Sequence, residues 1–321
     1  MNESGKLSTV VEHIDALHSM NDALGSAVQS PPPLPDSALP GYRLAVDDLV
    51  QEVVRRPWAS ELTDIERLVA KRLQEPELSA LLSHLAEGMD GAVAGLIGEI
   101  GNYGHQARRS ASDLGTFIRI LLLSQIDSVW WSAASPFTHE ADVLGSAELV
   151  DLGALKSARV LEFQYRPQPT GLLGRARDWG QHKMLPGLSP RLAGLRFTCS
   201  RPAVVAVVNQ IAHDFAAAVP RRTPRIWVTS MVRSVEHQYH LRALGYAAVL
   251  PSAHCAGYAC DLESGWSRQF DPDNVLAHLL FERQEAGQLN VIDECGTWHL
   301  CVNPNALGEL QAAYDSQLFM R

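Results

Sequence analysis

Ser252-Ala-His254-Cys-Ala-Gly257-Tyr-Ala259-Cys-Asp261 is the stretch from which the rest of the chain is read. It sets an imidazole and a carboxylate seven residues apart, with Gly257 and the small Ala259 between them. A chain can bring two metal ligands to one point in this way. One ligand enters from a loop, a glycine lets the backbone turn, and the second returns on the strand that follows. A catalytic zinc keeps three protein ligands and one open position, so a third donor is needed. His299, in Thr297-Trp298-His299-Leu300, offers it. There Trp298, Leu300 and Val302 alternate with His299, Cys301 and Asn303, the pattern of a strand with one buried face.

Outward from that stretch the local signals are dense. Pro202 suits the first turn of a helix running to about residue 219, with Val204, Val205, Val208, Ile211, Ala212 and Phe215 inward. Residues 225–232 alternate as a strand that delivers Arg233 at its end, and Ser234 caps a helix that stops at Gly245. Asp271-Pro272 starts another helix, with Val275, Leu276, Leu279 and Leu280 inside and Gly287 as its stop. Residues 289–292 and 298–302 are expected as neighbouring antiparallel strands, joined through the hairpin-like Glu294-Cys-Gly-Thr297.

Ser252-x-His254-x-x-Gly257-x-Ala259-x-Asp261, followed by Trp298-His299, resembles the zinc-site signature of the D-Ala-D-Ala metallopeptidases. These are D,D-carboxypeptidases, D,D-dipeptidases and relatives in the hedgehog/lysostaphin-type superfamily. Ser230-Met-Val-Arg233-Ser234, with Gln238 five residues after the arginine, is similar to that family's Ser-Gly-Tyr-Arg-Ser…Gln segment. The resemblance covers roughly residues 195–305. It implies an α+β domain, a small antiparallel sheet flanked by helices, holding Zn²⁺ on His254, Asp261 and His299. It also implies Arg233 as the cation facing the negative charge of a tetrahedral intermediate, a role worth several kcal/mol; a salt bridge across the sheet is the alternative reading of this arginine. Gln238, Ser252 and Trp298 would stand beside the substrate, Ser252 being equally a turn former.

One position departs from the family pattern. Members carry a glutamate three residues before the last histidine as general base, and here that position is Gly296. The nearest carboxylates are Glu294 and Asp293. On an unbroken strand Glu294 would keep the parity of the missing glutamate but sit about 6.6 Å further along. A bulge or tight turn at Cys295-Gly296 would bring it back, which makes Glu294 the expected base and Asp293 or a group from elsewhere the alternatives. The activity implied is zinc-dependent hydrolysis of an amide bond in a short peptide, such as one ending in a D-residue. The alternative is a catalytically altered member, acting as a metal- or ligand-binding protein or performing non-hydrolytic chemistry at the same metal in specialised metabolism.

Composition bounds these readings. Of 321 residues, 46% are hydrophobic and 20% charged, as in an ordinary soluble globular chain, and the net charge of −9 argues against general nucleic-acid binding. Between Arg159 and Arg201 eight Lys/Arg stand against Glu162 and Asp178. That block could attract an anionic substrate, although a solvated surface is the simpler reading. The N-terminus has no basic segment leading into an apolar run. The longest aliphatic stretch, 118–123, is interrupted by Arg119 and too short to cross a bilayer. A cytoplasmic protein without a membrane span is expected, acting on a short peptide or peptide-like small molecule. Five cysteines suit a reducing compartment; Cys255, Cys260, Cys295 and Cys301 in the ligand segments read as small buried residues, with thiolate ligation as the alternative. His237 and His240 share a helix face and read as packing or solvent contacts.

Three parts are expected. Residues 1–45 form a weakly ordered leader with polyproline geometry at Pro31-Pro-Pro-Leu-Pro35. Residues 46–192 are mostly helical and show no chemistry, with Thr63-Asp-Ile-Glu66 as a capping box and helices over 92–100 and 114–124. Within it, 128–192 is mixed, with short strands at Trp130-Trp131, 149–152 and 160–165 and a long loop over 167–190. Residues 193–321 form the zinc metallopeptidase-like domain.

Overall fold

The computed structural model describes residues 36–56, 61–103, 113–169, 190, 192–219, 225–246 and 248–319, and residues 36–321 belong to one compact unit. Helix α1 (Leu39–Arg55) buries Leu39, Tyr42, Val46, Leu49, Val50 and Val53, the three-and-four spacing of an amphipathic helix. It begins at Leu39, so the expected weakly ordered leader stops short of residue 45. Burial is the reason: Tyr42 is enclosed, and its hydroxyl donates to Leu122 O at 2.7 Å. The proline run lies outside the described residues.

Helices α2 (Leu62–Arg72), α3 (Pro76–Leu82) and α4 (Gly88–Asn102) follow. The capping box expected at Thr63 does not form, because the helix starts two residues earlier, with Glu61 as N-cap. Thr63 Oγ1 instead donates to Glu61 Oε2 at 3.4 Å. Helix α5 (Leu114–Trp130) is buried along most of its length because α1 packs against it and it packs in turn on the sheet. Asp113 caps it, accepting from Thr116 N at 2.8 Å. Trp130 closes this helix and does not start a strand.

The chain continues through α6 (Glu140–Gly145), β1 (Val150–Asp151), α7 (Leu152–Ser157), β2 (Gln164–Tyr165) and β3 (Cys199–Ser200). Residues 170–189, most of the expected long loop, lie outside the described residues. Then come α8 (Pro202–Ala218), β4 (Trp227–Ser230), α9 (Val235–Ala243), α10 (Ala253–Ala256) and β5 (Ala259–Glu263). The last elements are α11 (Val275–Glu285), β6 (Leu289–Asp293), β7 (Thr297–Val302) and α12 (Leu307–Phe319). Helix α11 starts later than Asp271-Pro272. Asp271 caps it from a distance, accepting from Val275 N at 2.8 Å and Leu276 N at 2.9 Å.

The architecture is mixed α/β. Strands β1 and β3 pair as a small antiparallel ribbon, and the five-stranded sheet runs β2-β4-β5-β7-β6. Its strands are antiparallel except β2, which is parallel to β4. The expected small antiparallel sheet is thus extended by one parallel strand at this edge, where the β2–β4 connection has room for the crossover a parallel pair requires. Leu262, Val291, Trp298, Leu300 and Val302 share one face and join the main core with residues of α8, α11 and α12. The opposite face of β6 and β7 is covered by α5, so β7 is buried on both sides and not on one. That second face carries the chemistry.

Candidate metal centre

Sheet register decides which side chains meet. Asp261 on β5 lies directly opposite His299 on β7, so both side chains leave the same face. His254 arrives from the short helix α10, after which Gly257 reverses the chain at φ 79°. That value is one that glycine adopts without strain. Space makes the same demand: a Cβ at 257 would meet Arg201 Nε at 3.2 Å and Phe137 Cε2 at 3.3 Å. Arg201 clamps the ligand loop, donating from Nε to Ala256 O at 2.8 Å while its guanidinium lies 4.2 Å from the Tyr258 ring centre. Tyr258 in turn stacks on Trp131 at 3.4 Å.

Three donor atoms converge from these elements. His254 Nε2 is 3.0 Å from Asp261 Oδ1 and 3.2 Å from His299 Nδ1, and His299 Nδ1 is 2.9 Å from Asp261 Oδ1. All three residues are buried. Each is also held from behind. His254 Nδ1 donates to Met231 O at 2.6 Å, and His299 Nε2 donates to Asp127 Oδ2 at 2.8 Å. Asp261 Oδ2 accepts from Arg233 Nη2 at 2.5 Å. With the outer nitrogens committed as donors, both inner nitrogens of the neutral rings present lone pairs, as metal-ligating imidazoles do. Separations of 2.9–3.2 Å lie close to the roughly 3.3 Å edge of a tetrahedron built on ~2.0 Å zinc–nitrogen bonds. This buried group could hold a metal ion.

The electrostatics follow from that crowding. Burial, and then Arg233, lower the pKa of His254 and favour its neutral ring. Burial opposes charging of His299 too, but hydrogen bonds to Asp127 and Asp261 outweigh it and hold its pKa well above the usual imidazole range. Burial also opposes ionisation of Asp261, yet the imidazoles and Arg233 keep its carboxyl well below the ordinary range. A cation is therefore favoured among the three donors, either a proton on His299 or a metal in its place.

Most of the site residues expected from the sequence line one cavity of about 350 Å³: Arg233, Gln238, Ser252, His254, Asp261, Glu294 and His299. Arg233 is fixed by Ser230 Oγ at 2.8 Å and Gln238 Oε1 at 3.2 Å as well as by Asp261. Gln238 uses both ends of its amide, since Nε2 donates to Val249 O at 2.9 Å. Its observed role is to orient Arg233. Ser252 forms the N-cap position of α10 without a side-chain cap bond. Glu294 sits in the β6–β7 turn, where Cys295 has φ 59° and Glu294 N donates to Thr297 O at 2.9 Å. Burial first, and then the Asp261 carboxylate, push the Glu294 pKa up to about 7. Asp293 turns away to Arg268 at 3.1 Å.

Trp298 is a correction. It belongs to the main core and meets Phe281 edge-on at 5.7 Å, because strand alternation sends it to the face opposite His299. The cysteines stand apart from the candidate metal group. Cys255, Cys260 and Cys301 are buried, and burial pushes the Cys255 thiol up to about 12 and raises the other two as well. His237 and His240 stack on each other with ring centres 6.3 Å apart. Asp127 is the residue that sequence reasoning missed, in a segment read as free of chemistry. The available signal was its position as the one acid of the largely apolar helix α5. Comparison with models of known protein families, with curated proteins and with solved structures found no match.

Proposed function

We propose that this protein is a zinc-dependent hydrolase that cleaves an amide bond in a short peptide, of the D-Ala-D-Ala carboxypeptidase or dipeptidase type. The observation that carries the reading is the convergence of His254 Nε2, Asp261 Oδ1 and His299 Nδ1 within 3.2 Å of one another, each braced from behind. Two features of the same cavity add support. One is a carboxyl group with its pKa pushed to about 7, Glu294. The other is the guanidinium of Arg233, held by three side chains.

When bound, zinc supplies Lewis acidity towards a substrate carbonyl and acidifies water. The chain's own residues do the remainder. Glu294 takes a proton from the attacking water and passes it to the leaving amine as the C–N bond breaks, and a pKa near neutrality suits both transfers. Arg233 faces the negative charge that develops on the carbonyl oxygen. The small cavity favours a short peptide or peptide-like molecule over a polymer. No helix among the described residues is long and apolar enough to cross a membrane, and we place the activity in the cytoplasm.

The test is metal analysis of the wild type and His254→Ala, followed by a panel of dipeptides that includes D-Ala-D-Ala. One zinc per wild-type chain, loss of zinc in the variant, and a fall of about 10²–10⁴-fold in kcat for Glu294→Gln with zinc retained would support the reading. Zinc binding with every peptide left intact would replace it by a metal-binding protein that lacks turnover. A wild type that takes up no divalent metal would end it.

A further inference from the structure

His299 is tied to the N-terminal helices by an unbroken chain of hydrogen bonds. Arg43 on α1 donates from Nη2 to Asn290 Oδ1 at 3.1 Å. Asn290 Nδ2 donates to Asp127 Oδ1 at 2.9 Å and to Leu123 O at 3.0 Å. Asp127 Oδ2 accepts from His299 Nε2 at 2.8 Å. Asn290 is fully enclosed and Asp127 is 4% exposed.

The chemistry of the groups fixes the direction of every link. A guanidinium only donates, so the oxygen of Asn290 must face Arg43 and its NH₂ must face Asp127. An ionised carboxylate only accepts, so Asp127 can satisfy both Asn290 and the His299 Nε2–H. His299 is then left with Nδ1 as the nitrogen free to ligate.

We propose that Arg43, Asn290 and Asp127 are positioning residues of the metal centre, a chain from the first helix that holds the His299 ring with Nδ1 turned towards His254 and Asp261. The proposal rests on the metal-binding half of the proposed function and is independent of peptide cleavage. It gives the N-terminal helices a part in the site. It also explains why an acid and an amide lie buried between α5 and the sheet, where apolar side chains would pack at lower desolvation cost.

The experiment is a Co²⁺ titration of the full chain against a competing chelator, with NMR of the exchangeable imidazole N–H of His299 in the Co²⁺-loaded protein. Variants are Asp127→Asn, Asn290→Leu, Arg43→Met and Arg43→Lys, each checked for folding by thermal denaturation. An asparagine at 127 cannot accept from both neighbours, and its NH₂ would confront a donor. Asp127→Asn is expected to weaken Co²⁺ binding about 10–100-fold, the range for partners behind a ligating histidine. Its His299 N–H should also exchange markedly faster. Asn290→Leu and Arg43→Met should weaken binding less, by about 3–10-fold, and Arg43→Lys should restore it by keeping a donor.

A bond that merely docks the helices would lower the melting temperature and leave the N–H exchange rate unchanged. Folded variants that bind Co²⁺ within twofold of wild type overturn the proposal. If Asp127→Asn and Asn290→Leu do not fold, the Arg43 pair at the edge of the chain decides. A wild type that binds no Co²⁺ removes the metal reading itself, whereas wild-type binding with unaffected variants removes only the positioning chain.

Discussion

Asp261→Asn separates metal binding from folding at a single atom. Asp261 divides its oxygens, with Oδ2 accepting from Arg233 at 2.5 Å and Oδ1 lying 3.0 and 2.9 Å from His254 Nε2 and His299 Nδ1. In asparagine only one of these atoms remains an oxygen. Arg233 can only donate, so the amide oxygen must face it and the NH₂ must point at the two imidazole nitrogens. There it meets the lone pair of His254, and that of His299 once this ring gives up the proton its raised pKa holds in the metal-free form. The loss is an ion pair reduced to a hydrogen bond from the still-charged guanidinium, about 1–2 kcal/mol, and the gain is one or two neutral hydrogen bonds at about 1 kcal/mol each. Metal-free stability should therefore change by no more than about 1 kcal/mol, or roughly 2–4 °C in Tm for a domain of this size.

Metal binding should respond very differently. If about 10 kcal/mol of zinc affinity is shared over three donors, losing one costs about 3 kcal/mol, on the order of two hundredfold in Kd. The assay is a chelator competition beside a metal-free melting curve. Asp261→Leu is the control. It strands the Arg233 charge and should cost about 3–5 kcal/mol in stability. An Asp261→Asn protein that binds zinc like the wild type would refute the ligand assignment. A metal-free form destabilised as badly as the leucine variant would refute the division of labour between the two oxygens.

Gly257→Ala should lower stability by about 1–2 kcal/mol for the left-handed backbone alone. It should also weaken metal binding by displacing the loop against Arg201, so a melting curve and a zinc titration check both effects. Metal uptake must displace a proton from His299, whose pKa is held well above the imidazole range. Below that pKa, zinc affinity should fall about tenfold per pH unit in competition titrations, provided other ligands do not titrate in the window. His237 is pushed down to about 4 from 6.5, chiefly by burial and then by Arg196 and Arg233. As pH falls from about 6.5 to 4 the unfolded chain takes up this proton before the folded one, so stability is lost across that window. His237→Gln should flatten the loss in denaturant melts at several pH values. Trp298→Ala should cost about 3–5 kcal/mol as a core truncation, and a variant that still folds should keep its Co²⁺ stoichiometry.

The strands and helices around the site were legible because each wears its period openly. β7 alternates, α8 opens on Pro202 and closes at Val219, and the hairpin turn carries its glycine. The parity of β7 already put Trp298 and His299 on opposite faces. Placing tryptophan beside the substrate followed the family signature against that parity, and the core claimed the residue. The capping box at Thr63 failed for a related reason, since its residue types recur inside helices and only the hydrogen-bond partner identifies the cap. The turn that carries Glu294 into the cavity could be named from Cys295-Gly296 only as one option, because a glycine permits several paths.

What the sequence by itself determined is local: helix and strand periods, the glycine that must turn at 257, and the residue types able to ligate a metal. These depend on neighbours within a few positions and on the chemistry of single side chains. The tertiary structure alone decided the partners brought from far along the chain. It set Asp127 of α5 behind His299, 172 positions away, and Arg43 of α1 behind Asn290, 247 away. No spacing rule encodes such pairs, because they arise only when α5 packs on the sheet and two buried polar groups must satisfy each other.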